Sequence, residues 1–362
     1  HGYKATALGI IPQEWEVMLL GNLSNSISSG RNKHRDAHGQ YPVFGSTGII
    51  GYSSTYEYEG PVILVARVGA NAGTLNFASG QYDVSDNTLI ITIKQNVYDY
   101  NFAYNQLTHY KLNKLVFGSG QPLITSKQLK NIRIPVPPLA EQRKIAEVLG
   151  VWDKAIEKQA RLIEKLALRK RALMQRLLSA KLRLPGFSEP WKKVKLGDVA
   201  ELYQPQTIQS EDLSQTGYPV YGANGLIGYY NNYNHEYPQV VITCRGSSCG
   251  TVNFTPGKCW ITGNAMVLNV DNNRDVNKSF FYYLISNSSF VNLISGSGQP
   301  QIVRQPLLKF ELRIPPLKEQ TAIAEVLTAA DREIDLAKEK LERLRRQKRG
   351  LMQQLLTGKK RI

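Results

Sequence analysis

The sequence has few cysteines, few acidic residues and no long apolar run, and these shortages exclude several classes of protein. Its three cysteines, Cys244, Cys249 and Cys259, all lie in the second half of the 362 residues, which argues against a disulfide framework. No apolar run approaches the roughly 20 residues that span a bilayer. The first residues lack the pattern of a signal peptide. We therefore expect a cytoplasmic protein that does not associate with membranes.

The residue patterns of the common catalytic and cofactor sites are missing as well. The loop "GANAGT" and its copy "GSSCGT" both lack the Lys-Ser/Thr ending of a phosphate-binding loop. The two Pro-Pro pairs have neither the preceding acid or amide nor the following aromatic residue with which an adenine methyltransferase holds a flipped base. His34, His38, His109 and His235 have no partner that repeats in both halves. We predict a binding protein with no catalytic residues, no cofactor and no metal.

A zinc site is the alternative that the cysteines leave open, because His235 supplies a fourth side chain of a type that binds zinc. The matching residues of the first half are Ala66, Ala72 and Tyr82. None of these binds zinc, so the fold does not need a metal there. We therefore favour free cysteines.

Positive charge is in excess, with 45 lysines and arginines against 29 acids, a net charge of +16 and a pI near 9.6. Such a balance favours a polyanionic partner, nucleic acid before a membrane surface, although solubility alone is the simpler explanation. At 42% apolar residues, the chain is long enough to form two domains with separate cores.

The pentapeptide "GSGQP" occurs twice, at 118–122 and at 296–300, and it belongs to a duplication of nearly the whole chain. Longer matches are "YPVFGSTGIIGY" at 41–52 with "YPVYGANGLIGY" at 218–229, "GTLNF" at 73–77 with "GTVNF" at 250–254, and "PPLAEQRKIAEVL" at 137–149 with "PPLKEQTAIAEVL" at 315–327. The single-residue pairs are Trp15 with Trp191, Gly21 with Gly197, Arg67 with Arg245 and Asn87 with Asn264.

The segments 1–138 and 182–316 are predicted to be strand-rich globular domains. Short β-type runs such as "PVILVARV" and "QVVITCR" are broken there by Gly, Asn and Pro. After each Pro-Pro pair, over 139–181 and 317–362, apolar residues recur every three or four positions, which predicts a helix of about 40 residues and about 60 Å. The fold class is therefore α+β, with a pseudo-two-fold internal repeat.

Each long helix has one apolar seam that must pack against a partner, and the nearest partner is the other copy. If the second helix returns toward the start of the chain, the two form an antiparallel coiled coil that separates the two domains. It also brings the C-terminus near the N-terminus. The predicted helix–helix interface comprises Ile145, Leu149, Trp152, Ile156, Ile163, Leu166, Leu173, Ile323, Leu327, Ile334, Leu341, Leu344 and Leu351. Gln159, Lys170 and Lys348 interrupt the seams.

The helices hold most of the charge. They carry 11 basic residues against five acids in the first copy and 12 against seven in the second, whereas the two globular segments are nearly balanced. A solvated face is one explanation, and sequence-independent attraction to phosphates or to a partner subunit is the other.

Base reading needs polar side chains that project from loops into a groove. The segment "SSGRNKHRD" at 28–36 differs completely from its counterpart "QPQTIQSED" at 204–212, so these loops are candidates for reading different sequences. For GSGQP, a glycine turn and a contact to the DNA backbone both remain open. The predicted DNA-binding residues are Arg31, Lys33, His34, Arg35, Arg67, Ser119, Gln121, Lys127, Gln206, Arg245, Ser247, Ser297, Gln299 and Arg304.

Two globular domains, each followed by a "PPL-x-EQ-x-x-IA-x-VL" helix with GSGQP upstream, resemble the specificity subunit of a type I restriction–modification enzyme. The resemblance covers the full chain. It implies two target-recognition domains that read a bipartite double-stranded DNA target with an unread spacer, which the helices fix. It also implies assembly with two methylation subunits, which carry S-adenosylmethionine and methylate adenine, and with restriction subunits.

Two other classes of function remain open at this stage. One is a coiled-coil protein whose end domains bind proteins or glycans. The other is an enzyme with an unrecognised site, which is disfavoured because no titratable constellation repeats in both copies.

Overall fold

The computed structural model describes residues 2–33, 36, 38–117, 122–222, 225–296 and 298–362 and divides the chain into two units. Unit 1 comprises 1–160 together with 339–362, and unit 2 comprises 161–338. Each unit contains strands, short helices and parts of both long helices, which agrees with the predicted α+β class. Within the described residues, no helix combines the length and the apolar character needed to cross a membrane.

The first copy of the repeat supplies the strands of unit 1 and ends in a long helix. Its strands are β1 (Tyr3–Thr6), β2 (Gly9–Pro12), β3 (Glu16–Leu19), β4 (Ser24–Ser29), β5 (Tyr41–Gly45), β6 (Gly48–Ser53), β7 (Tyr58–Glu59), β8 (Val62–Ala66), β9 (Leu75–Ala78), β10 (Gln81–Val84), β11 (Thr88–Ile93) and β12 (Arg133–Val136). Its helices are α1 (Leu20–Leu23), α2 (Tyr100–Tyr110), α3 (Ser126–Lys130) and α4 (Leu139–Leu177).

The second copy supplies the strands of unit 2 and also ends in a long helix. Its strands are β13 (Lys192–Lys195), β14 (Glu201–Tyr203), β15 (Tyr218–Gly222), β16 (Gly225–Tyr230), β17 (Val240–Thr243), β18 (Val252–Phe254), β19 (Trp260–Ile261), β20 (Ala265–Asn269), β21 (Ile294–Ser295), β22 (Gln301–Ile302) and β23 (Glu311–Ile314). Its helices are α5 (Leu196–Val199), α6 (Lys278–Ser286), α7 (Arg304–Leu308) and α8 (Leu317–Leu355).

The same sheet topology appears in both units. The central sheet has the order β4-β11-β8-β9 in unit 1 and β14-β20-β17-β18 in unit 2. A second sheet contains a hairpin, β5–β6 or β15–β16, whose first strand pairs in parallel with β10 or β19. The central strands β8 ("VILVA") and β17 ("VVIT") are buried throughout, because both faces of each are covered. The duplication read from the sequence is therefore a duplication of fold.

Both long helices have 39 residues, which corresponds to about 58 Å at about 1.5 Å per residue. In unit 1, Ile145 and Leu149 of α4 share a core with Met352 and Leu355 of α8. In unit 2, the later half of α4 packs against the first half of α8, with Leu166 beside Ile334 and Ala337 and with Leu177 in one core with Ile323 and Leu327. The helices thus run antiparallel within each unit.

All members of the predicted helix seam are buried or half-buried. The buried ones are Ile145, Leu149, Leu166, Ile323, Leu327, Ile334 and Leu341. The half-buried ones are Trp152, Ile156, Ile163, Leu173, Leu344 and Leu351.

The lysines that interrupt the seams have equivalent partners. Lys170 forms an ion pair with Asp331 in unit 2, and Lys348 forms one with Asp153 in unit 1, at 2.6 Å between Nζ and Oδ1. Each pair joins α4 to α8, and the two lysines are related by the repeat. A single polar pair within an apolar seam favours one register over its alternatives, so these lysines specify the helix pairing within each unit.

The repeated Glu-Gln pair attaches the start of each long helix to the globular part of the same copy through equivalent contacts. Gln142 is fully buried, accepts a hydrogen bond from the backbone N–H of Asp99 at 2.8 Å, and donates to the carbonyls of Val97 and Pro137, each at 2.9 Å. Gln320 makes the same three contacts in unit 2. One amide therefore joins the start of each long helix to the entry of α2 or α6.

The preceding glutamates bind arginines at the ends of the opposite repeat. Glu141 makes a bidentate contact with Arg361, at 2.5 and 2.9 Å, and accepts a hydrogen bond from the Trp15 indole N–H at 3.1 Å. Glu319 makes the matching bidentate contact with Arg183, at 2.6 and 2.8 Å. Arg361 also reaches Glu14 at 2.8 Å, so the last residues pack beside an N-terminal segment in unit 1, as the sequence predicts.

Candidate nucleic-acid interface

Several loops meet at one end of the central sheet of unit 1. The backbone N–H of Gly30 donates to Thr88 O at 2.9 Å, which joins the end of β4 to the turn before β11. The N–H of Arg67 donates to Asn87 O, also at 2.9 Å, which joins the same turn to the loop after β8. The loop end of unit 1 is defined as residues 30–33, 67–74, 85–88 and 122–124.

The described end of the first GSGQP segment lies against this surface. Gly69 N–H donates to Pro122 O at 3.0 Å, Ile124 N–H donates to Arg67 O at 2.9 Å, and Val68 forms an antiparallel bridge with Leu123. Thus two motifs that lie about 50 residues apart in the sequence become neighbours. Residues 118–121 themselves are outside the described part of the chain.

Unit 2 builds the same arrangement from different side chains. Gly246 N–H donates to Pro300 O at 2.9 Å and Ile302 N–H donates to Cys244 O at 3.0 Å. The Gln204 amide donates to Gly263 O at 2.9 Å, which joins the end of β14 to the turn before β20. The loop end of unit 2 is defined as residues 204–207, 244–251, 262–265 and 299–302.

The hydrogen bonds show that the sequence-based pairing of Arg67 with Arg245 is wrong by one position, because Arg67 is equivalent to Cys244. Arg67 N–H donates to Asn87 O, whereas in unit 2 it is Cys244 N–H that donates to the equivalent Asn264 O, at 3.1 Å. Arg245 instead forms a bridge with Gln301, in the place that Val68 takes in unit 1. The two loops are equally long, with glycines at 69 and 73 matching those at 246 and 250, so Arg67 and Arg245 stand at successive positions of an extended chain, whose side chains point to opposite faces.

This shift explains the different exposure of the two arginines. Arg245 is exposed, whereas Arg67 is half-buried and its Nε is buried without a hydrogen-bond partner among the described residues. Cys244, which takes the position of Arg67, is buried. Arg245 is therefore better placed than Arg67 to contact a large ligand.

The other predicted DNA-binding residues of unit 1 lie at or beside its loop end. Arg31, Lys33 and Lys127 are exposed, and the neighbouring Asn32 amide anchors its loop by donating to Asp83. Four further predicted residues lie outside the described part of the chain, namely His34, Arg35, Ser119 and Gln121.

In unit 2, the predicted residues that the structure describes are all exposed: Gln206, Arg245, Ser247, Gln299 and Arg304. The carbonyl of Gln206 accepts a hydrogen bond from the Trp260 indole at 3.2 Å, which fixes the backbone and leaves the amide side chain accessible. Ser297 lies outside the described residues.

Asn87 and Asn264 are two further exposed polar residues of the loop ends, which the predicted set does not include. Each is exposed in the turn before β11 or β20, and neither side chain makes a hydrogen bond to another described residue. Their identity at matching positions of the two copies was the available signal. An accessible asparagine amide can pair with both edge atoms of an adenine in the major groove.

The cysteines and His235 have structural surroundings. The His235 ring stacks on Tyr203, its Nε2 lies 2.9 Å from the Tyr203 hydroxyl, and burial lowers its pKa below the usual range. Burial raises the pKa of the thiols of Cys244 and Cys259, which disfavours the thiolate form that binds metals. Among the residues that the structure describes, no group of three or more His, Cys, Asp or Glu side chains is arranged to hold a metal ion.

Two strand-rich copies, each with exposed cationic and amide side chains at its loop end and each followed by a long helix, are the features expected of a DNA-recognition protein. Comparison with known proteins identifies the family. The family model described as "Type I restriction modification DNA specificity domain" matches residues 12–167 and again 188–346. The chain belongs to this family, and its role is DNA specificity in a type I restriction–modification system.

Curated relatives and solved structures agree with this assignment. The type I restriction enzyme MjaVIII specificity subunit of Methanocaldococcus jannaschii is 24% identical over 97% of this chain and 94% of its own length. The putative MjaX specificity subunit of the same organism is 26% identical over 100% and 97%. The crystal structure of the S subunit of a type I system from M. genitalium shares the fold, with a TM-score of 0.66, 20% identity, and coverage of 94% and 96%.

Proposed function

We propose that each unit reads one half of a bipartite double-stranded DNA target through its loop end. The observation that carries this proposal is that the two loop ends share one backbone framework but present different side chains. Arg31 and Lys33 occupy a loop whose counterpart contains Gln206, and the exposed Arg245 takes the place of Val68. A constant framework with variable exposed groups is what two related half-site readers require.

The side chains divide into two roles in this proposal. Arg31, Arg245 and Gln206 face bases, where a bidentate contact discriminates against the wrong base by about 1–3 kcal/mol. Asn87 and Asn264 read a feature that the two half-sites have in common, because the same amide stands at the same place in both units. Lys33, Lys127, Arg304, Gln299 and the residues of GSGQP contact the phosphate backbone, which positions the protein without reading sequence.

The long helices set the number of unread base pairs between the half-sites and bind two methylation subunits. The 39-residue length of each helix and the two Lys–Asp pairs that join the helices support this role. The methylation subunits supply S-adenosylmethionine and transfer the methyl group to adenine, and restriction subunits complete the assembly. The solved structure with a TM-score of 0.58 comes from work on complex assembly in a type I restriction–modification system, and it covers 96% of this chain.

The test is to sequence methylated adenines in cells that carry this chain and its methylation partner. A bipartite motif is expected. Replacing only residues 1–138 by the corresponding domain of another member of the family changes one half of the motif and preserves the other half and the spacer. Loss or change of both halves contradicts the assignment of one half-site to each unit.

A further inference from the structure

A repeated apolar hairpin beside each loop end has no part in the recognition described above. In unit 1, Ile49 of the β5–β6 hairpin is 54% exposed. In unit 2, Leu226 of the β15–β16 hairpin is 50% exposed. The register is the same in both, with Ile49 opposite Phe44 and Leu226 opposite Tyr221, and the same bulge follows. An exposed aliphatic residue retained at the same place in both copies points to a function outside the core.

The neighbouring residues show which part of the hairpin is structural. A side chain at Gly45 would meet Ile50 Cδ1 at 2.6 Å, and one at Gly222 would meet Ile227 Cδ1 at 3.1 Å. The glycines therefore leave room for the isoleucine that follows the exposed residue. Ile50 is half-buried there, whereas Ile227 remains 47% exposed and adds to the apolar surface of unit 2. Ile49 and Leu226 extend from the edge strands β6 and β16.

The hairpins contain no charge, although the chain as a whole is strongly basic. No Lys, Arg, Asp or Glu occurs over residues 37–56 or over residues 213–235. A surface that contacts the phosphate backbone needs cations, because release of condensed counterions drives that binding. The composition of the hairpins therefore favours an apolar protein surface as their occupant.

The hairpins also lie directly beside the proposed reading surfaces. Ser85 N–H donates to Phe44 O at 2.8 Å, and Thr262 N–H donates to Tyr221 O at 2.9 Å. Ser85 and Thr262 begin the turns that carry the exposed asparagines of the loop ends. Whatever covers a hairpin is consequently placed next to the DNA half-site read by the same unit.

We propose that the β5–β6 and β15–β16 hairpins are docking sites for the methylation subunit, with one copy on each unit. This inference rests on the proposed function. The occupant has to be present twice, has to offer an apolar pocket, and has to reach DNA beside each half-site. A methylation subunit that modifies an adenine of the half-site meets all three conditions. Contact at the hairpin aligns that subunit with the bases being read.

The test uses the full chain and the purified methylation subunit without DNA. Native mass spectrometry counts bound copies, and a fluorescence titration measures their affinity. Ile49→Glu weakens binding of one copy by at least about tenfold, Leu226→Glu weakens the other, and the double variant weakens both. Ile49→Lys weakens binding in the same way, because either charge is desolvated in an apolar pocket.

Val291→Glu is the matched control. Val291 is 70% exposed in unit 2, and its counterpart in the first copy is the polar Asn113, so the site is apolar but not repeated. Its substitution leaves the affinity for the methylation subunit unchanged. A thermal melt confirms that all variants remain folded, and Ile49→Ser replaces Ile49→Glu if the charged variant does not.

Two results would overturn the docking proposal. One is unchanged affinity for the methylation subunit in the double variant. The other is that Ile49→Glu weakens and Ile49→Lys strengthens DNA binding by the isolated chain, which would place the hairpin against phosphates. Failure of the proposed function is a separate result, since the domain exchange of residues 1–138 would then leave the methylated motif unchanged whether or not the hairpins bind the subunit.

Discussion

The buried amide of Gln142 is expected to hold the start of α4 on unit 1, and its removal provides the sharpest test of how the helix is positioned. Gln142→Ala deletes three hydrogen bonds, to Asp99 N, Val97 O and Pro137 O. Each contributes about 0.5–1.5 kcal/mol net, and partners left buried without water add to the loss. We expect the unfolding free energy of unit 1 to fall by about 3 kcal/mol.

Hydrogen exchange with mass spectrometry measures this loss where it occurs. Protection falls at the entry of α2 and the start of α4, whereas the equivalent region around Gln320 in unit 2 is unchanged. Gln320→Ala gives the reciprocal result. The matched control is Arg143→Ala, because Arg143 follows Gln142 on the same helix but is exposed. A loss below about 1 kcal/mol for Gln142→Ala, or equal loss of protection in both units, would refute the anchoring role of the amide.

The remaining predictions concern recognition, spacing and pH. Arg245→Ala leaves the protein folded and relaxes the half-site of unit 2 at one position, with a loss of about 1–3 kcal/mol of discrimination in a competition binding assay. Lys33→Ala weakens binding to all sequences and lowers the slope of log affinity against log salt by about 1. Inserting one helical turn near both Lys158 and Leu336 lengthens the unread spacer by about one to two base pairs, as read from methylated motifs, since a turn adds about 5.4 Å. Because burial lowers the pKa of His235 in the folded state, the unfolded state takes up a proton first as the pH falls through about 6.5. The stability of unit 2 therefore decreases in that range, and His235→Phe flattens the decrease in urea titrations at several pH values.

The long helices and the duplication were predictable because both leave regular signals in the sequence. Apolar residues at every third or fourth position predicted α4 and α8. The near-constant offset between the copies predicted that both units have the same order of strands. The antiparallel packing within each unit followed from the need of each apolar seam for a partner. The ion pairs of Lys170 and Lys348 were not predictable, and in the sequence the two lysines are interruptions of the apolar seams. Their aspartate partners lie on the other helix and far away in the sequence.

The loop ends were less predictable, because their geometry depends on backbone hydrogen bonds between distant segments. Arg67 and Arg245 match in the sequence because they are identical residues, but this pairing needs an offset of 178 between the copies, whereas Gly73 with Gly250 and Asn87 with Asn264 have an offset of 177. The hydrogen bonds to Asn87 and Asn264 follow the offset of 177, which pairs Arg67 with Cys244. The contact of GSGQP with the loop after β8 or β17 left no sequence signal at all, because it uses backbone atoms that every residue possesses.

The loops after β8 and β17 show how these proteins can acquire a new specificity without altering the scaffold. Both loops have the same length and keep glycines at matching positions, 69 with 246 and 73 with 250, together with the hydrogen bond from the first glycine to the proline of GSGQP. The residue just before that glycine is Val68 in unit 1 and the exposed Arg245 in unit 2. Substitutions at this one position among natural variants should therefore track changes in the recognised DNA sequence more closely than substitutions within the strands.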